Sequence, residues 1–318
     1  MIELKDYSFS YTTEKEDLKK INLSIKSGEF IVITGNSGSG KTTLGRSING
    51  LVPHFFNGKV TGELKLGEKE IRNCEIWEIS KVVASVFQDP NAQFFAHCVK
   101  DEIAFGAENY GVDPEIINSR IKSVSNEINI ESLLTETMFE LSNGQKQKVA
   151  IASAIITQPS IFVFDEPSAN LDVKSTYELA TLMKSLHDKG HTIVVIEHRI
   201  YYLMDLLDRL IYIEDGRIDK GYTKSEVIAL NNDEIESMGL RAHNLNSIDA
   251  DKLFSYHENE KLLDINGVGF SYGKKEVLRE INLSIRRGEV IALIGSNGVG
   301  KTTLAQILCG LSKEKTGQ

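Results

Sequence analysis

Gly35-Asn36-Ser37-Gly38-Ser39-Gly40-Lys41-Thr42 is the stretch that decides the fold. It follows the apolar run Glu29 to Thr34 and precedes a stretch of helical character, Lys41 to Leu51. The pattern GxxxxGK[ST] between strand and helix is one that holds phosphate. Its glycines let the backbone wrap closely with N–H groups turned inward, and the helix start adds positive potential. Lys41 is placed to reach β- and γ-phosphates, and the Thr42 hydroxyl, followed by Thr43, to ligate Mg²⁺. By itself the stretch predicts nucleoside-triphosphate binding and leaves many folds open.

The stretch occurs twice. Gly295-Ser296-Asn297-Gly298-Val299-Gly300-Lys301-Thr302 repeats it in what reads as the same strand–loop–helix context. Phe9-Ser10-Tyr11 returns as Phe270-Ser271-Tyr272, and Ile21-Asn22-Leu23-Ser24-Ile25 as Ile281-Asn282-Leu283-Ser284-Ile285. Two copies of one unit therefore begin in this chain. The expected organisation is a complete unit over 1–240, a polar linker over 241–261 (RAHNLNSIDADKLFSYHENEK) and the opening of a second unit over 262–318. So short a second copy cannot complete a parallel core, and the expectation is a truncated tandem protein or an incomplete gene record.

Working outward, Phe30 to Ile33, Ile161 to Phe164 and Thr192 to Ile196 are short continuous apolar runs bounded by polar residues. Such runs suit a parallel sheet covered on both faces, with helical crossovers between strands, so the fold class is α/β. Of the 318 residues 41% are apolar and 25% charged, ordinary for a globular chain, and the net charge of −9 gives no support to nucleic-acid binding. No apolar run approaches the roughly 20 residues of a spanning helix, and the N-terminus lacks a secretory pattern. A soluble protein is expected, with any membrane role exerted through a partner. Cys74, Cys98 and Cys309 are widely separated, without metal-ligand spacing, and read as packing thiols.

The residues downstream of the first loop narrow the choice. Leu141-Ser142-Asn143-Gly144-Gln145 opens a helical stretch to about Thr157, and here the chain resembles the ATP-binding cassette (ABC) family, whose signature is LSGGQ. Ile161 to Glu166 resembles that family's Walker B strand and Ser168-Ala169-Asn170-Leu171-Asp172 its D-loop. Gln88 matches its Q-loop, and His198 its switch histidine. The resemblance implies a P-loop cassette with a mainly parallel core sheet, an antiparallel β-subdomain and a helical signature subdomain. It implies ATP and Mg²⁺ as cofactors, with Thr42, Gln88 and Asp165 at the metal. Glu166 is then the general base, aided by His198 and Gln88, and Tyr11 and its repeat Tyr272 stack on adenine. Ser142, Gly144 and Gln145 would complete the site of a facing cassette, a role compatible with Ser142 as a helix N-cap. Asn143 replaces the family's glycine, and asparagine tolerates left-handed backbone better than most residues.

Val86 to Phe95 (VFQDPNAQFF), with Val99 to Gly111, resembles the energy-coupling-factor importers of vitamins and transition-metal ions. Leu51 to Phe56 and Glu197-His198-Arg199 are similar to their duplicated ATPases. This implies an ATP-hydrolysing subunit peripheral to the cytoplasmic face of the cell membrane. It would pair with a second cassette, as homo- or heterodimer, and with transmembrane coupling and substrate-binding subunits. Phe94 and Phe95 read either as an apolar anchor for such a subunit or as a core-facing pair. A soluble tandem cassette acting on the ribosome is the alternative, against which stand the acidic balance and the short linker. A repair ATPase would need a long coiled coil that is not there.

Overall fold

A computed structural model describes residues 1–240, 260–273, 275–313 and 316–317. Of the linker expected over 241–261, residues 241–259 lie outside the described residues, and Lys261 already opens a strand. The chain divides into two compact units, one holding all of residues 1–240 but Asp172–Lys174, the other holding Asp172–Lys174 with the described residues from 260 onward.

The first copy opens on β1 (Ile2–Ser10), β2 (Leu18–Ile25) and β3 (Phe30–Thr34). Next come β4 (Lys59–Leu66), β5 (Lys69–Glu70), β6 (Val83–Val86) and β7 (Ile161–Asp165). The copy closes with β8 (Thr192–Ile196), β9 (Arg209–Glu214) and β10 (Arg217–Thr223). Its core sheet runs β10-β9-β3-β8-β7-β6, parallel throughout except for the β9–β10 pair. Strand alternation divides the apolar runs between two cores. Phe30, Val32, Phe162, Phe164, Ile193 and Val195 belong to one buried cluster, which also holds Leu179 and Met183 of the helix Val173–Asp188. Ile31, Ile33, Val163, Val194 and Ile196 belong to another, with Leu44 and Ile48 of the helix Lys41–Ile48. Both faces are covered, which is why these strands carry no polar alternation.

A second, antiparallel sheet, β2-β1-β4-β5, adds its apolar face (Ile2, Leu4, Tyr7, Phe9) to the latter cluster. The third part is helical. Val99–Asn109, Pro114–Glu127 and Asn143–Ile155 close around Val99, Ile103, Ile121, Val124, Val149 and Ala152. The expected architecture of parallel sheet, antiparallel sheet and helical subdomain is therefore what the chain adopts.

The helix after the phosphate loop ends earlier than the sequence suggests. It stops at Ile48, because Gly50 takes a left-handed φ of 77°, and Leu51–His54 forms a separate short turn. Asn143 is also a correction. It is the first residue of its helix and is absent from the positive-φ residues, so left-handed tolerance plays no part in its use there.

The second copy contains β11 (Lys261–Tyr272) and β12 (Lys275–Arg286), an antiparallel pair, and the helix Lys301–Leu308. The repeat extends to backbone detail. In the first copy Asp6, at φ 46°, donates its N–H to Asn22 Oδ1 at 3.0 Å where the β1–β2 register shifts. In the second, Gly267, at φ 64°, donates to Asn282 Oδ1 at 2.8 Å at the matching shift. One expectation fails. The run Glu289 to Ile294, read as the strand before the second loop, forms no strand, and Val290 and Ile294 are 96% and 90% exposed. In the first copy β3 is held between β8 and β9, which come from segments downstream of the loop.

Candidate nucleotide site

The phosphate loop leaves β3 at Thr34 and enters the helix at Lys41 through three left-handed glycines, Gly35 (φ 147°), Gly38 (77°) and Gly40 (104°). A Cβ at Gly35 would lie 2.0 Å from the Ile213 carbonyl oxygen, and one at Gly40 2.8 Å from the Asp17 carbonyl oxygen. Neither position admits a side chain. Ser39 N donates to Asn36 O at 3.1 Å, closing the turn. Lys41 Nζ crosses the loop to donate to Gly35 O (2.8 Å) and Asn36 O (2.7 Å). Burial pulls the Lys41 ammonium below its ordinary pKa, against the attraction of Glu166 and Asp165. A buried ammonium at the first residue of a helix suits a polyanion.

Ser37, Gly38, Gly40, Lys41, Thr42 and Thr43 line a cleft of about 350 Å³ together with Glu166 and His198. β7 delivers the acids. Asp165 ends the strand and meets Thr42 Oγ1 at 3.3 Å, and burial raises its pKa while the Thr42 hydroxyl lowers it. Glu166 has a left-handed φ of 43°, uncommon for a residue with a side chain, and its N–H is anchored on Ile196 O at 2.9 Å. Such local strain concentrates where a side chain has to be aimed. Its carboxylate accepts from Gln88 Nε2 at 3.1 Å and lies 3.4 Å from His198 Nε2. Burial first, then Lys41, pulls the His198 pKa below 6.5, against the opposing pull of Glu166. Burial thus favours the neutral imidazole.

These contacts bear on the expected metal. Among the described residues no group of three or more His, Cys, Asp or Glu side chains could hold an ion. The Thr42–Asp165 pair supplies two hard oxygens, the kind of partial set that suits Mg²⁺ when substrate phosphates complete the shell.

The remaining expected residues divide. Ser142 caps its helix, its hydroxyl accepting from Gln145 N at 3.4 Å while Gln145 Oε1 accepts from Ser142 N at 2.8 Å. A Cβ at Gly144 would meet Ser175 Oγ at 2.9 Å. Neither these three residues nor Tyr11 line the loop's cleft. The Tyr11 ring packs edge-on against Phe9 at 4.7 Å and Phe56 at 6.2 Å, and its hydroxyl accepts from Arg46 at 3.4 Å. Phe94 and Phe95 separate as well: Phe94 packs against two core clusters, and Phe95 is 75% exposed.

The second loop repeats the first. Gly295, Gly298 and Gly300 have φ of 148°, 80° and 102°, and Lys301 Nζ donates to Gly295 O and Ser296 O, both at 2.8 Å. Asn297, Val299 and Thr302 complete it, and Tyr272 stands edge-on to Phe270 at 4.9 Å, as Tyr11 does to Phe9.

Sequence reasoning missed Lys15 and Asp17, which line the cleft from the turn before β2. Neither belongs to a recognisable pattern. It also gave Glu197 no role of its own, although an acid directly after an apolar strand was a visible signal.

A family model for ABC transporters matches residues 18–169 and 278–318. A Treponema denticola protein with the provisional name ABC transporter ATP-binding protein is 44% identical over 322 residues, covering all of this chain and 66% of its own length. A Clostridium perfringens protein of the same description is 35% identical over 357 residues, covering all of this chain and 62% of its own. This chain thus spans a little under two thirds of the length of these relatives. Among solved structures, cbiO1 of Clostridium perfringens, described as part of the ABC transporter complex cbiONQ, aligns with a TM-score of 0.66 at 29% identity, over 74% of this chain and 92% of that one. The ATP-binding cassette MJ0796, solved as a dimer with ADP and Pi, aligns with a TM-score of 0.62 at 28% identity, over 70% and 99%. The fold is that of an ABC cassette, and the chain belongs to the ABC transporter family.

Proposed function

We propose that this chain binds and hydrolyses ATP as the motor of an ABC importer of the energy-coupling-factor type, one taking up a vitamin or a metal ion. The observation that carries the reading is the position of Glu166. Its carboxylate stands between Gln88 and His198 in the cleft that the phosphate loop lines.

In this reading the loop N–H groups and Lys41 grip the β- and γ-phosphates. Thr42 and Asp165 would hold a Mg²⁺ ion, which would supply charge neutralisation at the phosphates. Glu166 takes the proton of the attacking water, Gln88 orients that water, and His198, kept neutral, hydrogen-bonds the γ-phosphate. Tyr11 bears on adenine. The signature residues Ser142, Gly144 and Gln145 cap the phosphates of a facing cassette, each charge-assisted bond contributing about 1.5–3 kcal/mol to that pairing. Residues 1–240 are then one complete cassette and 262–318 the beginning of a second.

The surface beside the Q-loop supports a membrane partner. A groove of about 350 Å³ is lined by Leu51, Ile76, Phe95, Phe105 and Tyr110. Phe95 stacks on Phe105 at 5.0 Å, and its loop is pinned by Glu102 Oε2, which accepts from Phe95 N and Ala96 N at 2.8 Å each. An apolar shelf on a stiffened loop suits a helix of a transmembrane subunit. No described helix is long and apolar enough to cross a membrane itself. Steady-state ATPase assays on the chain, alone and with co-purified membrane subunits, test the reading. Turnover that Mg²⁺ removal abolishes is expected. A folded chain that neither binds nor hydrolyses ATP would overturn it.

A further inference from the structure

We infer that Glu197 is a positioning residue for hydrolysis, a buried carboxylate that ties the loop after β7 to the backbone carrying His198; this rests on the ATPase reading above. Glu197 is 3% exposed, and every acceptor position of its carboxylate is used. Oε1 accepts from the backbone N–H of His198 (2.8 Å) and Arg199 (3.1 Å). Oε2 accepts from Ser168 Oγ (2.7 Å) and Tyr202 Oη (2.8 Å).

The bond from Ser168 closes a ring. Ser168 stands two residues after Glu166, and Glu197 one residue before His198. The ring runs from Glu166 along the chain to Ser168, across to Glu197, along to His198 and back to Glu166 at 3.4 Å. The side chains of the reacting pair are aimed by backbone segments that this one carboxylate holds together. Arg199 reinforces the link by donating to Ser168 O at 3.4 Å, and Tyr202, itself 4% exposed, anchors it in the core. Burying a carboxylate where an apolar residue would pack is costly unless all its bonds are made. Here they are made, and they fix the relative position of the two segments that carry the chemistry.

The test is a double-mutant cycle in kcat, run on the full chain under conditions where the wild type turns over ATP. Glu197→Gln keeps the shape, but an amide cannot accept from both pairs of donors. Ser168→Ala removes one hydroxyl. Each lowers kcat about tenfold with KM for ATP within about twofold, and the double variant is no slower than the slower single one, because both cut one link. A residue that only supports the fold would not divide kcat from KM in this way. Where Glu197→Gln fails to fold, Ser168→Ala alone must show the tenfold loss. Folded variants with wild-type kcat, or losses that multiply in the double variant, would overturn the inference. A wild-type chain that never hydrolyses ATP would instead remove the reading on which it rests, and the inference with it.

Discussion

Replacing Gly35 by alanine isolates what the phosphate loop demands of its first residue, because the chain contains a matched control. Gly35 and Gly295 hold the same backbone, φ 147° and 148°. At Gly295 an added Cβ meets, among the described residues, only Val299 Cγ1, at 3.1 Å. At Gly35 it would lie 2.0 Å from the Ile213 carbonyl oxygen, on a strand paired to both β3 and β10. Both substitutions incur the backbone strain, about 1–3 kcal/mol for a residue with a side chain. Only Gly35→Ala adds displacement of a core strand, about 1–3 kcal/mol more. Its expected cost to the first unit is therefore about 2–6 kcal/mol, set against a typical total of roughly 5–15 kcal/mol. Urea unfolding followed by Trp77, the chain's only tryptophan and part of the first unit, reads this directly. Gly35→Ala lowers the midpoint at an unchanged m-value, and Gly295→Ala leaves that transition where it was. Coincident midpoints for wild type and Gly35→Ala would refute the reasoning.

Four other outcomes follow. Glu166→Gln retains ATP binding but lowers turnover roughly 10²–10⁴-fold, and with ATP it sediments as a pair of chains; a strictly monomeric species would count against pairing. Because the folded-state pKa of His198 lies below 6.5, stability is lost as pH falls from 6.5 through that lowered value, and His198→Asn flattens this acid-side slope in melting curves. Phe95→Asp leaves stability within about 0.5 kcal/mol while weakening stimulation by a membrane subunit, whereas Phe94→Asp unfolds the chain at markedly lower urea. Magnesium affinity for the ATP-loaded protein drops in Thr42→Val, because one of the two hard oxygens is gone; equal affinity would remove Thr42 from the metal site.

What the sequence made legible follows from how local each signal is. The loop Gly35–Thr42 carries its own backbone conformation in its glycines, and the second copy reproduces that conformation. Apolar runs such as Ile161 to Phe164 announced a sheet covered on both faces because their burial is uniform. The run before Gly295 looked the same but formed no strand, since a parallel strand depends on neighbours that no local pattern encodes. The left-handed turn that aims Glu166, the ring through Glu197 and the separation of Phe94 from Phe95 were likewise invisible. Each is decided by segments far apart in the chain, such as Ser168 and Glu197.

The central claim is that the loop grips a triphosphate through Lys41. Calorimetric titration of ATP into the wild type and Lys41→Ala, both checked for folding, tests it most directly. Loss of charge-assisted bonds from one ammonium predicts an affinity roughly 10- to 150-fold weaker in the variant, with turnover abolished. Equal affinity and equal turnover in the two proteins would contradict the account.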